Sequence, residues 1–398
     1  MKILITIYHS LGYGGAEVST RYLAEALKSK GHQAVISSSQ SYSGLDTRLF
    51  KEFDKKPFSL QERYLKKFLI KIIKEEDINI VHAQDRLTSI AAVKAAKECK
   101  IPVIVHFRDF WPECPRSSCM APDGYIYDIC SYKIILKHFP VGRWLSDFYK
   151  WNYLKKSWKT IEEADVKIVS SEMEKNKLKS CNIQKNVNVI PIFRDPKTFE
   201  KINEKDFKNK FKLKQITLLY IGSFFYTKGI PFLIKLMPEI LKENKNVSFL
   251  LAGDGPMLKD VESLIKKENL QEQIILAGRI DYKDVPKAYK ISDIVIIPTA
   301  WEEPFTGVPL EAGASRKTFI ANKVGAIVEL KGKDFAFLVE KDNLQEWKEK
   351  INKLIENKKL RDKMGDNAYN MFIKNYSSNI VINKILDLYN TLLQCITQ

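Results

Sequence analysis

A chain of 398 residues is too long for one ordinary hydrophobic core, and 45% apolar residues suit two globular domains and argue against disorder. The longest apolar runs, 216–221 and 294–298, are of strand length, well short of the about eighteen residues a membrane span needs, so nothing is expected to cross a bilayer. Lysine and arginine total 65 against 48 acidic residues, a charge of +17 that calls for a negative partner: nucleic acid, anionic lipid or a phosphorylated substrate. The excess is spread over helix faces without a long basic block, so no nucleic-acid arm is expected, and a merely lysine-rich surface is the alternative.

The opening run, 2–8, reads as a first strand and is too short for a signal peptide. Gly12-Tyr13-Gly14-Gly15-Ala16-Glu17 joins it to a helix that starts near Glu17 and stops at Gly31, a residue free to take the left-handed conformation that ends helices. Gly14 and Gly15 would let backbone approach a ligand, although a plain turn has the same composition. Further strands fall at 33–37, 78–82, 102–106, 166–170 and 187–190, with helices between them. At the end of the fourth, His106 and Arg108 are two apart and share a face, so both can reach a ligand while Phe107 is buried; a satisfied histidine and an Arg108–Asp109 ion pair are the plain alternatives.

Cys114, Cys119 and Cys130 lie in one loop-like stretch with Asp109 and Glu113 nearby, but their spacings match no usual zinc pattern. With no CxxC pair among the six cysteines, unligated thiols in a reducing cytoplasm are expected. In 143–159, Trp144, Phe148, Trp151 and Trp158 recur at helical spacing among lysines. That stripe fits a buried helix face, and if exposed it fits a membrane surface and a lipid-linked acceptor.

After Pro191 a polar, lysine-rich piece, 194–214, marks a boundary, and strands at 216–221, 247–252, 273–277, 294–298, 317–321 and 335–339 repeat the alternation. Three helical stretches follow from Leu344. The expected domains are 1–195, 196–375 and a final helix, 376–398, that returns to the first. Each domain reads as a parallel sheet covered on both faces. Ligands of such sheets bind beyond the carboxyl ends of the strands, so the chemistry is expected in a cleft between two facing domains.

The strongest segment is Pro298-Thr299-Ala300-Trp301-Glu302-Glu303-Pro304-Phe305-Thr306-Gly307-Val308-Pro309-Leu310-Glu311-Ala312. Pro309 is tolerated only in a first helical turn, so a helix should begin near Thr306 or Gly307, with Thr306 as its N-cap. Gly307 would leave that N-terminus open to a diphosphate, and Glu303 and Glu311 could accept hydrogen bonds from hydroxyls.

This segment resembles the retaining glycosyltransferases of family 4, which carry an E-x7-E element inside EPFG-x-V-x-x-EA. Val324-Gly325-Ala326-Ile327-Val328-Glu329 is similar to the family's VGG-I-x-E loop, and Ala252-Gly253-Asp254-Gly255-Pro256 to its AGDGP turn. Residues 220–229 resemble its G-R-L-x-x-x-K-G loop, with Gly222 and Lys228 matching and Ser223 in place of arginine. Gly14-Gly15-Ala16-Glu17 is similar to its GGAE. Residues 105–115 resemble an HD-aromatic-W-x-x-CP stretch in which Arg108 holds the histidine position. Thr306, Arg316 and Thr318 depart from the family's glycine, glycine and proline.

The resemblance implies two facing Rossmann-like domains of the GT-B fold, with the donor held mainly by the second and the acceptor by the first. It implies transfer with retention, no metal and no cofactor beyond a nucleotide-sugar donor, most simply a UDP- or GDP-sugar. Glu303 would bind donor-sugar hydroxyls, Glu311 the ribose, and backbone N–H groups of Phe305, Thr306, Gly307 and Val308 the sugar and phosphates. Lys228, aided by Arg279, would neutralise the leaving diphosphate. Gly14, Gly15, Gly222, Ser223 and Gly253 would line the donor site, and Gly278, Arg279 and Ile280 would lie against the base. His106 or Arg108 would touch the sugar or its phosphate. The acceptor would be a glycan, a lipid-linked molecule or a small molecule, reached from the cytoplasm or from the inner membrane face. Two other readings stand beside this one. One is a non-catalytic basic protein binding nucleic acid or anionic membrane on the same fold; the other is a glycoside hydrolase using Glu303 and Glu311 as its carboxylate pair.

Overall fold

A computed structural model describes residues 1–8, 14–51, 57–200 and 202–397. The chain divides into two units, Met1–Phe193 with Glu302–Phe305 and Ser378–Gln398, and Arg194–Trp301 with Thr306–Ser377.

The first unit holds β1 (Lys2–Thr6), β2 (Gln33–Ser38), β3 (Thr47–Leu49), β4 (Ile80–Ala83), β5 (Val103–His106), β6 (Val166–Val169) and β7 (Val187–Val189). They form one parallel sheet in the order β3-β2-β1-β4-β5-β6-β7. Alternate residues serve opposite faces, as the two-residue strand period requires. Leu4, Val81, Val103 and Val105 pack with Leu65 and Leu69 of the Phe58–Glu75 helix and with Ala92 and Ala96 of the Arg86–Cys99 helix. Ile3, Ile5, Ile80, Ile104 and Ile168 pack with Leu23 and Leu27 of the Gly15–Ser29 helix. Val381, Ile382, Ile385 and Tyr389, spaced along the last helix, Ser378–Thr397, complete that second layer. The short edge strand β3 was not foreseen, because Thr47 and Arg48 are half-buried, Leu49 is exposed and the three carry no apolar run.

The second unit holds β8 (Ile216–Ile221), β9 (Val247–Ala252), β10 (Ile274–Gly278), β11 (Ile294–Ile297), β12 (Thr318–Asn322) and β13 (Ala336–Val339). The sheet is again parallel, in the order β10-β9-β8-β11-β12-β13. Its core joins Leu218, Phe249 and Ile296 to Leu233 and Met237 of the Ile230–Glu243 helix and to Trp347 of the Leu344–Glu356 helix. Strand order reverses between β1 and β4 in the first sheet and between β8 and β11 in the second. Loops leaving those strands diverge at each reversal and open a crevice at the carboxyl edge.

One short helix, Val308–Ala314, follows β11 and is held by glycine contacts. A methyl group on Gly313 would lie 2.7 Å from the Ala368 carbonyl oxygen and 3.1 Å from Phe372 Cβ, on the Lys358–Asn375 helix. Arg316, just beyond, is left-handed at φ 55°, a conformation non-glycine residues rarely take. Its guanidinium lies 3.8 Å from the Tyr369 ring centroid and pairs with Asp366 at 2.7 Å, which helps hold the turn. Gly313→Ala is expected to lower unfolding free energy by about 1–3 kcal/mol, because the facing backbone cannot recede without moving a helix. Chemical denaturation measures this, and an unchanged midpoint would mean the two helices do not pack this closely.

Candidate functional site

In the second unit the turns beyond β8, β9 and β10 stack on one another. Gly222 N–H donates to the Ala252 carbonyl at 3.0 Å, and Gly253 N–H to the Gly278 carbonyl at 2.8 Å. A side chain on Gly253 would stand 1.9 Å from the Gly222 oxygen, so only glycine allows this approach. Ser223 follows Gly222, half-buried, while Arg279 is exposed and Ile280 half-buried beyond β10. Lys228 ends a tight turn, Tyr226–Lys228, closed by Gly229 at φ 80°. The loop is tied to the end of β11: the Thr227 carbonyl accepts from Ala300 N–H at 2.8 Å and from the Thr299 hydroxyl at 3.2 Å. Lys228 Nζ lies 5.7 Å from the Trp301 ring centroid. Beneath them the buried Asn322 amide donates to the carbonyls of Pro298 and Thr299, both at 3.0 Å, and accepts from Trp347 Nε1 at 3.0 Å. This satisfied buried brace fixes the strand end that carries the loop.

The Val308–Ala314 helix is capped at Gly307 with no side-chain cap, which corrects the expected Thr306 N-cap. Helical geometry begins at Val308, so Thr306 is one residue too early for its hydroxyl to reach the free amides. Thr306 and Val308 are half-buried. Glu311, in the first turn, is fully engaged: Oε1 accepts from Arg194 Nε at 2.8 Å and Oε2 from the Tyr289 hydroxyl at 2.9 Å. A methyl group on Gly307 would fall 1.9 Å from Arg194 Nη2. A guanidinium thus lies against the side of Gly307 that a side chain would occupy. Arg194 itself is anchored by its N–H to the Tyr376 carbonyl at 3.2 Å. Sequence reading missed Arg194 and Tyr289, whose only signal was one arginine at the head of a lysine-rich stretch. Glu303, buried, and Phe305, half-buried, lie in the segment that groups with the first unit.

In the first unit, Gly14 and Gly15 are exposed at the start of the Gly15–Ser29 helix, while Gly12 and Tyr13 fall outside the described residues. A methyl group on Gly15 would touch no described residue within 4 Å, so packing among those residues does not demand glycine there. Glu17 is buried behind them, and burial, with the charges of Asp85 and Asp109, raises its carboxyl to about 7 despite its own backbone amide. Across the reversal, Asp85 caps the Arg86–Cys99 helix, accepting from Thr88 N–H at 2.9 Å and from Tyr8 N–H. His106 and Arg108 both line a narrow crevice with Ser19, Phe193 and Ile385, while Phe107 is wholly buried. Arg108 Nε donates to Gln84 Oε1 at 2.8 Å.

The cysteine loop is built of pairwise contacts. Cys114 Sγ meets the Tyr127 hydroxyl at 2.9 Å and accepts from Arg116 N–H at 3.2 Å, and Cys119 Sγ donates to the Asp128 carbonyl at 3.6 Å. Among the described residues no group of three or more histidine, cysteine or acidic side chains could hold a metal ion. The aromatic stripe of the Trp144–Glu162 helix is largely used internally. Trp151 is buried, Trp158 Nε1 donates to the Pro112 carbonyl at 3.0 Å and Trp144 Nε1 to the Phe139 carbonyl at 2.9 Å. The most exposed apolar side chains nearby are Leu145, at 88%, and Val141, at 70%.

Two family models match adjoining stretches, Glycosyltransferase Family 4 over residues 13–198 and Glycosyl transferases group 1 over residues 201–371. The chain belongs to the group 1 glycosyltransferase family. Alpha-D-kanosaminyltransferase of Streptomyces kanamyceticus is 24% identical over 173 residues, 43% of this chain and 45% of that relative. An uncharacterised glycosyltransferase of Methanocaldococcus jannaschii is 23% identical over 329 residues, 80% of this chain and 78% of its own length. The chain thus spans less than half of the first relative and about three quarters of the second. HepE of Anabaena, solved with UDP-glucose, superposes with a TM-score of 0.77 at 16% identity, covering 98% of this chain and all of that one. At that identity the likeness shows the fold, two parallel-sheet α/β units of the GT-B class.

Glu113 gives the first unit a pH signature. It is wholly buried, neither carboxyl oxygen has a hydrogen-bond partner among the described residues, and burial raises it to about 8. As pH rises past the ordinary value of 4.5 the unfolded chain ionises while folded Glu113 stays protonated, so its contribution to stability falls until about pH 8 and then levels. Glu113→Gln, neutral at every pH, is expected to gain on the native protein progressively between pH 5 and about 8. Parallel melting curves with no pH-dependent difference would mean Glu113 is ionised in the fold.

Proposed function

We propose that this protein is a retaining, metal-independent glycosyltransferase that moves a sugar from a UDP- or GDP-sugar to a glycan, lipid-linked or small-molecule acceptor. The observation that carries the reading is the stack of glycine turns beyond β10, β9 and β8, tied to the loop after β11, with Lys228 and Glu311 rising from it at the sheet's reversal. Backbone turns of this kind suit a diphosphate, and a fixed cation beside it stabilises negative charge that grows as the bond breaks. In this reading the bond from the anomeric carbon to the diphosphate oxygen breaks, and the nucleotide leaves with the electron pair beside Lys228. The acceptor oxygen forms the new bond to that carbon and passes its proton to the departing diphosphate oxygen.

Glu303 serves the sugar hydroxyls and Glu311 the ribose, its carboxylate held by Arg194 and Tyr289. Backbone N–H groups of Phe305, Thr306 and Val308 serve sugar and phosphates. Gly278, Arg279 and Ile280 face the base, and Gly14, Gly15, His106 and Arg108 the transferred group. The engagement of Glu311 also disfavours a hydrolase, which needs one carboxyl of its pair free to donate a proton. Free cysteines fit a reducing cytoplasm. Exposed Val141 and Leu145, with Lys133, Lys137 and Arg143 nearby, suit peripheral contact with an anionic inner membrane face. Among the described residues no helix is long and apolar enough to span it.

Calorimetry and thermal shift against UDP, GDP and their sugar conjugates test the donor. A ligand at a hundred times its dissociation constant should add about 2.7 kcal/mol of stability. Glu311→Ala should weaken nucleotide binding, and Lys228→Ala should lower kcat by about a hundredfold. Folded protein that answers to no nucleotide would overturn the reading in favour of a non-catalytic binding role. For the membrane, sedimentation with phosphatidylglycerol vesicles but not phosphatidylcholine vesicles is expected, with loss in Leu145→Glu; equal recovery with both lipids would refute the charged surface contact.

A further inference from the structure

A hydrogen-bonded chain runs through the first unit from its last helix to the crevice at the end of β5. The Tyr389 hydroxyl lies 2.6 Å from His82 Nδ1, and His82 Nε2 lies 3.1 Å from His106 Nδ1. Tyr389 and His82 are wholly buried, and His106 is 2% exposed. His106 Nε2, the far end of the chain, is a buried atom with no hydrogen-bond partner among the described residues, and its ring lines the crevice beside Arg108 and Ser19.

The direction of the chain follows from counting protons. A neutral imidazole has one donor and one acceptor nitrogen. The Tyr389 hydroxyl makes no other hydrogen bond among the described residues, so it has only His82 Nδ1 to donate to. If His82 donated instead, the buried Tyr389 hydrogen and the His106 Nε2 lone pair would both be left unmatched, whereas this direction leaves one N–H, on the ring that lines the crevice. His82 Nδ1 therefore accepts, its Nε2 carries the proton and donates to His106 Nδ1, and the His106 proton is left on Nε2.

We infer that Tyr389 and His82 are positioning residues that hold His106 in a single tautomer, so that it presents an N–H donor, and not a base, to an acceptor oxygen of a ligand in this crevice. Both rings stay neutral in the fold: burial, and then the nearby Arg108 charge, lowers His82 to about 3 and holds His106 well below the usual histidine value. The neutral Tyr389 donor is kept by burial, which raises its hydroxyl far above the ordinary range. The tautomer stands on the first unit alone; its use toward a sugar or phosphate oxygen rests on the transferase reading.

Histidine-selective 15N labelling reads both ring nitrogens, with His106 assigned by its loss in His106→Gln. The expected native spectrum shows His106 protonated at Nε2 and bare at Nδ1, and Tyr389→Phe turns it into a mixture because nothing then dictates the chain's direction. A native His106 protonated at Nδ1 would overturn the inference without any variant, and so would an unchanged tautomer in a folded Tyr389→Phe protein. For the use of the donor, Tyr389→Phe should lower kcat by about tenfold with His106 present, the scale of one hydrogen bond. It should have no effect in a His106→Gln background, where an amide donor has no tautomer to lose. Equal losses in both backgrounds would make Tyr389 merely structural. Absence of turnover with every donor would sink the transferase reading and leave the tautomer result standing.

Discussion

A parallel sheet cannot join neighbouring strands by tight hairpins, and this constraint organises both units. Each strand must return through a crossover, so all strands point one way and all their leaving loops collect at one edge. Reversing strand order once in each sheet then parts two neighbouring loops and makes a crevice without any side chain being spent on it. Lys228 and the 298–311 segment leave the strands on either side of the second reversal. Gly14 and Gly15 leave β1 and Asp85 leaves β4 at the first. Chemistry falls where it does because connectivity leaves backbone free there.

The two units use that edge differently. In the second, backbone approaches backbone: Gly229, Gly253 and Gly255 exist because carbonyl oxygens occupy the space a side chain would need. The result is a rigid set of turns that needs few polar side chains, and the two that matter most, Glu311 and Asn322, are each held by partners from elsewhere in the unit. In the first unit the edge is lined by buried polar groups, among them His82, His106, Asp109, Glu113 and Glu174, and burial drives each toward its neutral form. Neutral groups in a dry interior act through direction of hydrogen bonding more than through charge, and direction is set by the last donor in the chain, here Tyr389.

How much of this was legible varies by element. Strands β8, β9 and β11 announced themselves as apolar runs because a strand buried on both faces must be apolar throughout. The helix after β11 was foreseen from Pro309 but its cap was placed one residue early, since Thr306 and Gly307 are both acceptable caps and only dihedral angles decide between them. Gly307 was recognised as a place where something must come close, and the side chain lying against it is that of Arg194, 113 positions earlier in the chain. Local chemistry indicates that space is needed; it cannot say which distant group fills it.

Sequence alone determined the alternation of strands and helices, the two-fold repetition of an α/β architecture, and the family, because these rest on short-range periodicity and on motifs whose spacing is kept within one loop. Only tertiary structure decided the partners of Glu311, the burial that neutralises Glu113, the internal use of Trp151 and Trp158, and the chain from Tyr389 through His82 to His106. Each of those depends on residues from distant segments meeting at hydrogen-bond or van der Waals distance. The free energy of such a meeting depends on burial and geometry, which no local pattern of residues encodes.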